Sequence, residues 1–111
     1  MSSIRDQIRK GSTEILILKL LTGEAMYGYQ IVQELKARSG GYFDMKEGLL
    51  YPTLHRMKKE GLVASEWRVA ATGRRRKYYA ITTEGEQLLQ EGAAEWETFM
   101  QRMNDLLNFA S

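Results

Sequence analysis

The sequence has no cysteine and a single histidine among its 111 residues. Without cysteine the chain can form neither a disulfide framework nor a thiolate metal or redox site, and one histidine alone cannot build a zinc site. It has one proline and no apolar run long enough to span a membrane. The first ten residues are polar where a secretory signal needs an apolar block. These absences predict a cytoplasmic protein that needs no metal or other cofactor.

Charge is unevenly distributed along the chain. Residues 46–79 contain nine Lys or Arg against three Asp or Glu, a net charge of +6, whereas the rest of the chain carries −4. The overall charge of +2 therefore conceals a polarised molecule. With 43% hydrophobic residues and neither repeats nor a linker, the chain has enough apolar material for one small core.

The segment from Lys46 to Glu60 has the pattern of an amphipathic helix. Its apolar residues recur on one face at helical spacing: Leu50, Leu54 and Met57. Polar and small residues occupy the opposite face and its flank: Gly48, Tyr51, Pro52, His55, Arg56 and Lys59. A capping box formed by Asp44 and Glu47 predicts a start near Met45, and we expect a kink at Pro52 because an interior proline removes a backbone hydrogen bond.

A β-hairpin is predicted after Gly61. Residues 62–69 alternate and contain Val and Trp, residues 70–74 are typical of a turn, and residues 75–81 are rich in Tyr and Ile. Four consecutive cations then lie at or beside the hairpin tip: Arg74, Arg75, Arg76 and Lys77. A helix with a polar outer face fits the major groove of DNA, and an arginine-rich loop fits phosphates or the minor groove. The alternative is that both charged surfaces are merely solvated.

Two further helices precede this segment. Residues 14–21 are apolar in almost every direction, which predicts a central helix capped by Ser12 or Thr13, and residues 27–39 place Ile31 and Leu35 inward. Together with the helix at 46–60 they form a helix-turn-helix. Tyr27 and Tyr29 can donate hydroxyls to phosphates, or can be buried rings with a wet tip. Residues 1–10 predict a short or frayed helix.

The last segment, residues 83–109, predicts a long helix that opens with a capping box from Thr83 to Glu86. Apolar residues recur along it at spacings of three and four, which indicates a coiled-coil seam: Leu89, Ala93, Trp96, Met100, Met103 and Leu107. Residues 82–111 carry a net charge of −5, so we expect this helix to point away from DNA. Its simplest partner is its own copy across a two-fold axis.

Four blocks of the sequence together are typical of one family: YGYQI at 27–31, GLLYPTLHRM at 48–57, EGLV at 60–63 and GRRRKYYAIT at 73–82. With them the sequence resembles the PadR-like family of bacterial transcriptional regulators. The resemblance implies a mainly helical α+β fold, a winged helix-turn-helix at 1–82 with a C-terminal dimerisation helix at 83–111. It implies a homodimer that binds a palindromic operator in double-stranded DNA as a sequence-specific regulator, in particular a repressor relieved by a small aromatic effector.

The predicted helix at 46–60 would be the recognition helix and the hairpin at 62–81 the wing. The predicted DNA contacts combine this helix, its flanks and the wing: Tyr27, Lys46, Gly48, Tyr51, His55, Arg56, Lys59, Arg74, Arg75, Arg76 and Lys77. Arg56 is expected to read a base edge, with phosphate contact as the rival. Small drug-sensing members of the family use a tryptophan in the last helix to stack on planar ligands. A corresponding site for a planar aromatic ligand would contain Trp96, Phe99, Met100 and Met103, unless Trp96 only fills the dimer core.

The sequence lacks the combinations of residues that enzymatic catalysis uses. His55 has no carboxylate nearby in sequence, and the glycines form no phosphate-binding loop. The alternative to a specific regulator is a nonspecific nucleic-acid-binding or protein-interaction module on the same fold.

Overall fold

The computed structural model describes residues 12–108, and within them it has four helices and three strands. In chain order these are α1 (Thr13–Leu21), β1 (Met26–Tyr27), α2 (Gly28–Arg38), α3 (Glu47–Lys59), β2 (Val63–Val69), β3 (Arg75–Ile81) and α4 (Thr83–Leu107). The predicted mainly helical α+β class is confirmed. The helix predicted for residues 1–10 lies outside the described residues.

Helix α1 is the centre of the core, as its all-round apolar sequence predicts. Ile17 and Leu18 are fully buried, and Leu20 and Leu21 are nearly so. Around α1 pack the apolar faces of the other elements: Met26, Ile31, Leu35, Leu50, Leu54, Met57, Leu62, Val63 and Tyr79. The core is therefore assembled from one helix buried on nearly all sides and several amphipathic elements that each bury one face.

The sheet has the strand order β1-β3-β2 and is antiparallel throughout. Strands β2 and β3 form the predicted hairpin, with Val63 opposite Ile81 and Val69 opposite Arg75. Strand β1 was not predicted. Its two residues are too few to show the alternation that marks a strand, and Tyr27, predicted to begin a helix, instead pairs with Tyr78 and precedes α2.

Helix α3 presents the predicted face to the core, but its predicted start is wrong. The helix begins at Glu47, its N-terminal cap is Lys46, and no side chain makes a capping hydrogen bond. Asp44 therefore does not form the expected capping box; its carboxylate lies 4.0 Å from the Lys36 ammonium. The helix continues through Pro52 to Lys59 and is followed by Gly61, whose φ of +78° suits a residue without a side chain.

The junction between the hairpin and α4 is held by Thr82, one residue before the predicted cap. The Thr82 hydroxyl accepts a hydrogen bond from the Gly85 amide at 3.0 Å and donates one to the Gly61 carbonyl at 2.6 Å. The Thr82 amide donates to the Leu62 carbonyl at 3.1 Å. These bonds connect the end of α3, the predicted recognition helix, with the base of the hairpin and the start of α4.

Helix α4 packs on the core with its first turns and then extends away from it. Gly85 lies against Leu62 and Leu18, and Gly92 lies against Ile15 of α1. The helix is about 37 Å long at 1.5 Å per residue, and the longest dimension of the molecule is 55 Å. Helices α1 to α3 with the β2–β3 hairpin as the wing form a winged helix-turn-helix, to which α4 adds a projecting helix.

Replacing Gly85 should destabilise the fold. A Cβ atom there would overlap the Leu62 carbonyl oxygen and lie 2.9 Å from a side-chain carbon of Ile81. Because backbone must move to relieve this overlap, Gly85→Ala should lower the free energy of unfolding by about 2 kcal/mol or more. Urea unfolding followed by circular dichroism measures the change.

Gly48 in α3 is the matched control, because a Cβ there meets nothing within 4 Å. Gly48→Ala should leave stability unchanged or raise it by about 0.5 kcal/mol. Equal midpoints for the Gly85→Ala and Gly48→Ala proteins would contradict the packing described for the start of α4.

Candidate nucleic-acid interface

A groove of about 750 Å³ runs between the start of α2, the start of α3 and the wing. Aromatic and charged side chains line it together with one glycine: Tyr27, Gly28, Tyr29, Glu47, Tyr51, Trp67, Arg74, Arg75, Arg76, Lys77 and Tyr79. The structure thus brings together six of the predicted DNA-contacting residues, from three separate stretches of sequence. Glu47 is the one acidic residue among those that line the groove.

Tyr51 connects the recognition helix to the first turn of α2. Its ring lies so close to Gly28 that a Cβ on that glycine would be 2.7 Å from two ring carbons and 2.5 Å from the hydroxyl oxygen. Gly28 is buried, whereas Tyr51 is 45% exposed. The absence of a side chain at position 28 therefore lets Tyr51 lie across the start of α2, with much of its surface open to solvent.

The wing separates its cations onto two faces because successive side chains of a strand point to opposite sides. Arg75 and Lys77 share a face with Tyr79, which packs on the core, and with Trp67 of the neighbouring strand. The Arg75 guanidinium lies 5.1 Å from the centre of the Trp67 ring, within the range of a cation–π contact. Burial, and then the neighbouring Tyr51, raise the pKa of Tyr79.

The other face of the wing holds Arg76 and Arg68. Arg76 lies 4.2 Å from the centre of the Tyr27 ring, and Tyr27 packs edge-on against Tyr78 at 5.4 Å. Arg68 is 2.6 Å from a Glu66 carboxylate oxygen and 4.8 Å from the centre of the Tyr78 ring. Tyr27 thus supports an arginine with its ring, a role that the sequence did not indicate because its partners lie about fifty residues away.

The outer surface of α3 is open to solvent. Four predicted contacts on it are exposed, as is Lys46 at the helix start: Gly48, His55, Arg56 and Lys59. Arg56 differs from the others because it is ion-paired with Glu14 of α1 at 2.6 Å. The side-chain hydrogen bond to Glu14, and then the charge of Glu14, raise the pKa of the Arg56 guanidinium.

Residues predicted for the dimer seam and the effector site lie on α4, away from the groove. Leu89 is partly buried against the chain's own core, and Ala93 is exposed. Trp96 is half-buried and packs edge-on against Phe99 at 5.3 Å. Beyond it four large apolar side chains are 40% to 63% exposed: Phe99, Met100, Met103 and Leu107.

Within residues 12–108 the structure has no cluster of three or more His, Asp or Glu that is arranged to hold a metal ion. None of the helices in this range combines the length and apolar character needed to cross a membrane.

A helix-turn-helix and a wing that together border a basic groove define the class of winged helix-turn-helix proteins. Residues 17–91 match the model of the transcriptional regulator PadR-like family. The chain is 35% identical over 85 residues to a transcriptional regulator of Mycobacterium tuberculosis, covering 77% of this chain and 76% of that protein. It therefore belongs to the PadR-like family of transcriptional regulators, which confirms the predicted family and the prediction that the chain is not an enzyme.

Two further proteins illustrate the range of the similarity. The crystal structure of a PadR-like transcriptional regulator from Bacillus cereus superposes with a TM-score of 0.81 at 36% identity, covering 91% of this chain and 96% of that one. The negative transcriptional regulator PadR of Bacillus subtilis is 26% identical over 89 residues, which are 80% of this chain and 49% of that protein. The chain thus spans about half the length of the Bacillus subtilis protein.

The two faces of the wing should differ in their contribution to DNA affinity. Arg75→Ala should weaken binding to every duplex and reduce the slope of log affinity against log salt by about 0.9, because one phosphate contact is lost. Fluorescence anisotropy with a labelled duplex at several salt concentrations measures this slope.

Arg68→Ala is the matched control on the same hairpin, since Arg68 is held by Glu66 on the opposite face. It should leave the slope within a few tenths of the parent value. If the two variants lose the same slope, the assignment of the Trp67 face to DNA is wrong.

Proposed function

We propose that this regulator is a homodimer that binds a palindromic site in double-stranded DNA and represses transcription from it. The observation that carries the proposal is the groove itself, in which Glu47 and Tyr51 of α3 and the cations of the wing line one continuous surface. The remaining outer face of α3 is exposed. Helix α3 would enter the major groove of DNA while the wing contacts the flanking backbone or minor groove. The name of the Bacillus subtilis relative, a negative regulator, supports repression.

The recognition helix supplies the base-reading surface in this proposal. His55, Arg56 and Lys59 project from it, and Gly48 lets DNA approach the backbone closely because no side chain or neighbouring atom occupies that space. Tyr51 lines the groove together with the wing, and in this proposal its hydroxyl contacts a phosphate. Lys46 and the wing cations add contacts that favour every sequence equally.

Dimerisation uses α4. Met100 is 63% exposed and Leu107 is 53% exposed, on a surface that a lone protomer leaves in contact with water. A second copy of the same helix, related by a two-fold axis, buries both surfaces at once. Residues 1–82 then form the DNA-binding unit and residues 83–111 the dimerisation helix, and the two-fold axis gives the operator its palindromic symmetry.

A small planar aromatic effector is the proposed inducer. In the dimer Trp96 and its symmetry mate would wall a slot whose floor is formed by Phe99, Met100 and Met103. Indole faces attract planar or cationic rings, and methionine side chains repack around ligands of different shape. The ligand releases DNA only if it binds more tightly to a dimer geometry in which the spacing of the two recognition helices does not match successive major grooves. A ligand with equal affinity for both geometries would not change their populations.

Selection from a pool of random duplexes tests the function directly. The recovered sequences should share a two-fold symmetric site with half-sites about 34–36 Å apart, or a multiple of it. At physiological salt the chain should prefer this site over random duplex by at least about 10³-fold. A pool that yields no common sequence would contradict specific recognition and favour a nonspecific nucleic-acid-binding module.

Tryptophan fluorescence tests the effector slot. Titration with planar cationic dyes and with phenolic acids should quench the emission of the parent, and the quenching should disappear in Trp96→Ala because the stacking surface is lost. The remaining emission in that variant comes from Trp67, the other tryptophan of the chain, which serves as the internal control. Unchanged emission with both classes of ligand, or unchanged DNA binding at saturation, would leave Trp96 a packing residue of the dimer.

A further inference from the structure

Arg56 belongs to α3, but its side chain is ion-paired with a residue of α1. Its Nη2 atom donates a hydrogen bond to Glu14 Oε1 at 2.6 Å, and its Nε atom donates to the same oxygen at 3.1 Å. Glu14 lies in the first turn of α1, 42 residues earlier in the chain. The Arg56 side chain remains 56% exposed, whereas the Glu14 side chain is 30% exposed.

The geometry of this pair leaves part of the guanidinium free. Both bonds come from the edge formed by Nε and Nη2, so the outer edge formed by Nη1 and Nη2 keeps one N–H of each nitrogen available. Two parallel N–H groups of this kind can bind two acceptors side by side, such as O6 and N7 of guanine or two oxygens of a phosphate. Arg56 can therefore keep Glu14 and bind DNA at the same time.

The anchor of the pair belongs to the central helix of the core. Glu14 lies in the first turn of the helix whose Ile17 and Leu18 are fully buried, and its neighbour Ile15 packs against Gly92 of α4. An arginine side chain loses conformational freedom when it binds, and a side chain that is already held loses less. Holding Arg56 from α1 thus favours binding in one orientation.

We infer that Glu14 is a positioning residue for DNA recognition: it holds Arg56 so that the outer edge of the guanidinium faces a pair of acceptors on DNA. The inference rests on the proposed function and adds a residue outside both the recognition helix and the wing. It also predicts that removing this acidic side chain lowers the affinity for the preferred duplex. An acid near DNA normally weakens binding of every duplex through its charge, whereas Glu14 strengthens binding of the preferred duplex through Arg56.

The test is a double-mutant cycle on the full-length protein. Affinities of the parent, Glu14→Gln, Arg56→Lys and the double variant are measured for the selected duplex, for single-base-pair variants of it, and for random duplex. Glu14→Gln should lower affinity for the selected duplex by at least about fivefold, since a good bidentate contact contributes 1–3 kcal/mol of discrimination. In the Arg56→Lys protein, which lacks the bidentate edge, Glu14→Gln should cause no further loss.

The control is Glu34→Gln, which removes a comparable surface pair in which Arg38 Nε donates to Glu34 at 3.0 Å. It should change neither affinity nor the ratio between selected and random duplex. Thermal unfolding of each variant separates this effect from loss of fold. A merely structural Glu14 would lower the melting temperature and leave the affinity of the folded protein unchanged for every duplex.

The single-base-pair series distinguishes the two acceptors. If Arg56 binds a guanine, Glu14→Gln should weaken the preference for the correct base at one base pair of each half-site. If Arg56 binds a phosphate, Glu14→Gln should lower affinity equally for the selected duplex, its variants and random duplex. Unchanged or increased affinity in Glu14→Gln, or an equal loss in the Arg56→Lys protein, overturns the inference. If the parent binds all duplexes equally, the proposed sequence-specific recognition is refuted. The role of Glu14 is then decided separately, by whether Glu14→Gln lowers affinity for every duplex.

Discussion

The Thr82 junction is the constraint on which the rest of the structure depends. One side chain and one backbone amide connect Gly61, Leu62 and Gly85, so the recognition helix, the wing and α4 leave a common point in fixed directions. Gly61 reverses the chain there with a positive φ, and Gly85 allows α4 to approach the Leu62 carbonyl closely. In a dimer joined through α4, this junction would transmit the geometry of the dimer interface to the spacing of the two recognition helices.

The same junction would give the proposed effector a means of acting at a distance. In the proposed dimer, a ligand between two α4 helices that changed their crossing would move each winged helix as a unit, because the start of α4 is bonded to its base. Helix α1 would add a second connection, since Ile15 contacts α4 and the adjacent Glu14 contacts the recognition helix. The shift of population is limited by the difference in ligand affinity between the two dimer geometries.

The elements that the sequence predicted well are those with strong local patterns. The apolar stripe of α3, the alternation around Trp67 and the cationic run at the hairpin tip each follow from spacing within a dozen residues, and the structure has the corresponding elements. The cap of α3 was misplaced because several polar residues precede the helix, and a local pattern does not decide which of them adopts the extended cap conformation.

Long-range contacts were not predictable in the same way. The pairing of Tyr27 with Tyr78, the stacking of Arg76 on Tyr27 and the Glu14–Arg56 pair each join residues about forty or fifty positions apart. Composition and helical periodicity contain no information on such pairs, since they depend on how the finished elements pack. Which wing cation faces which side became clear only from the strand register, in which Trp67 lies opposite Lys77.

The central claim is that DNA recognition and dimerisation through α4 act together. Its most direct test compares affinity for the selected palindrome with affinity for a single half-site, in the parent and in Met100→Glu, with Gln101→Glu as a control that adds the same charge at an exposed neighbouring position. The parent and the Gln101→Glu protein should bind the palindrome at least about a hundredfold more tightly than the half-site, as expected for two linked binding events. Met100→Glu should bind both equally, because a buried, unpaired carboxylate disrupts the interface. A Met100→Glu protein that keeps the full preference for the palindrome would contradict the account.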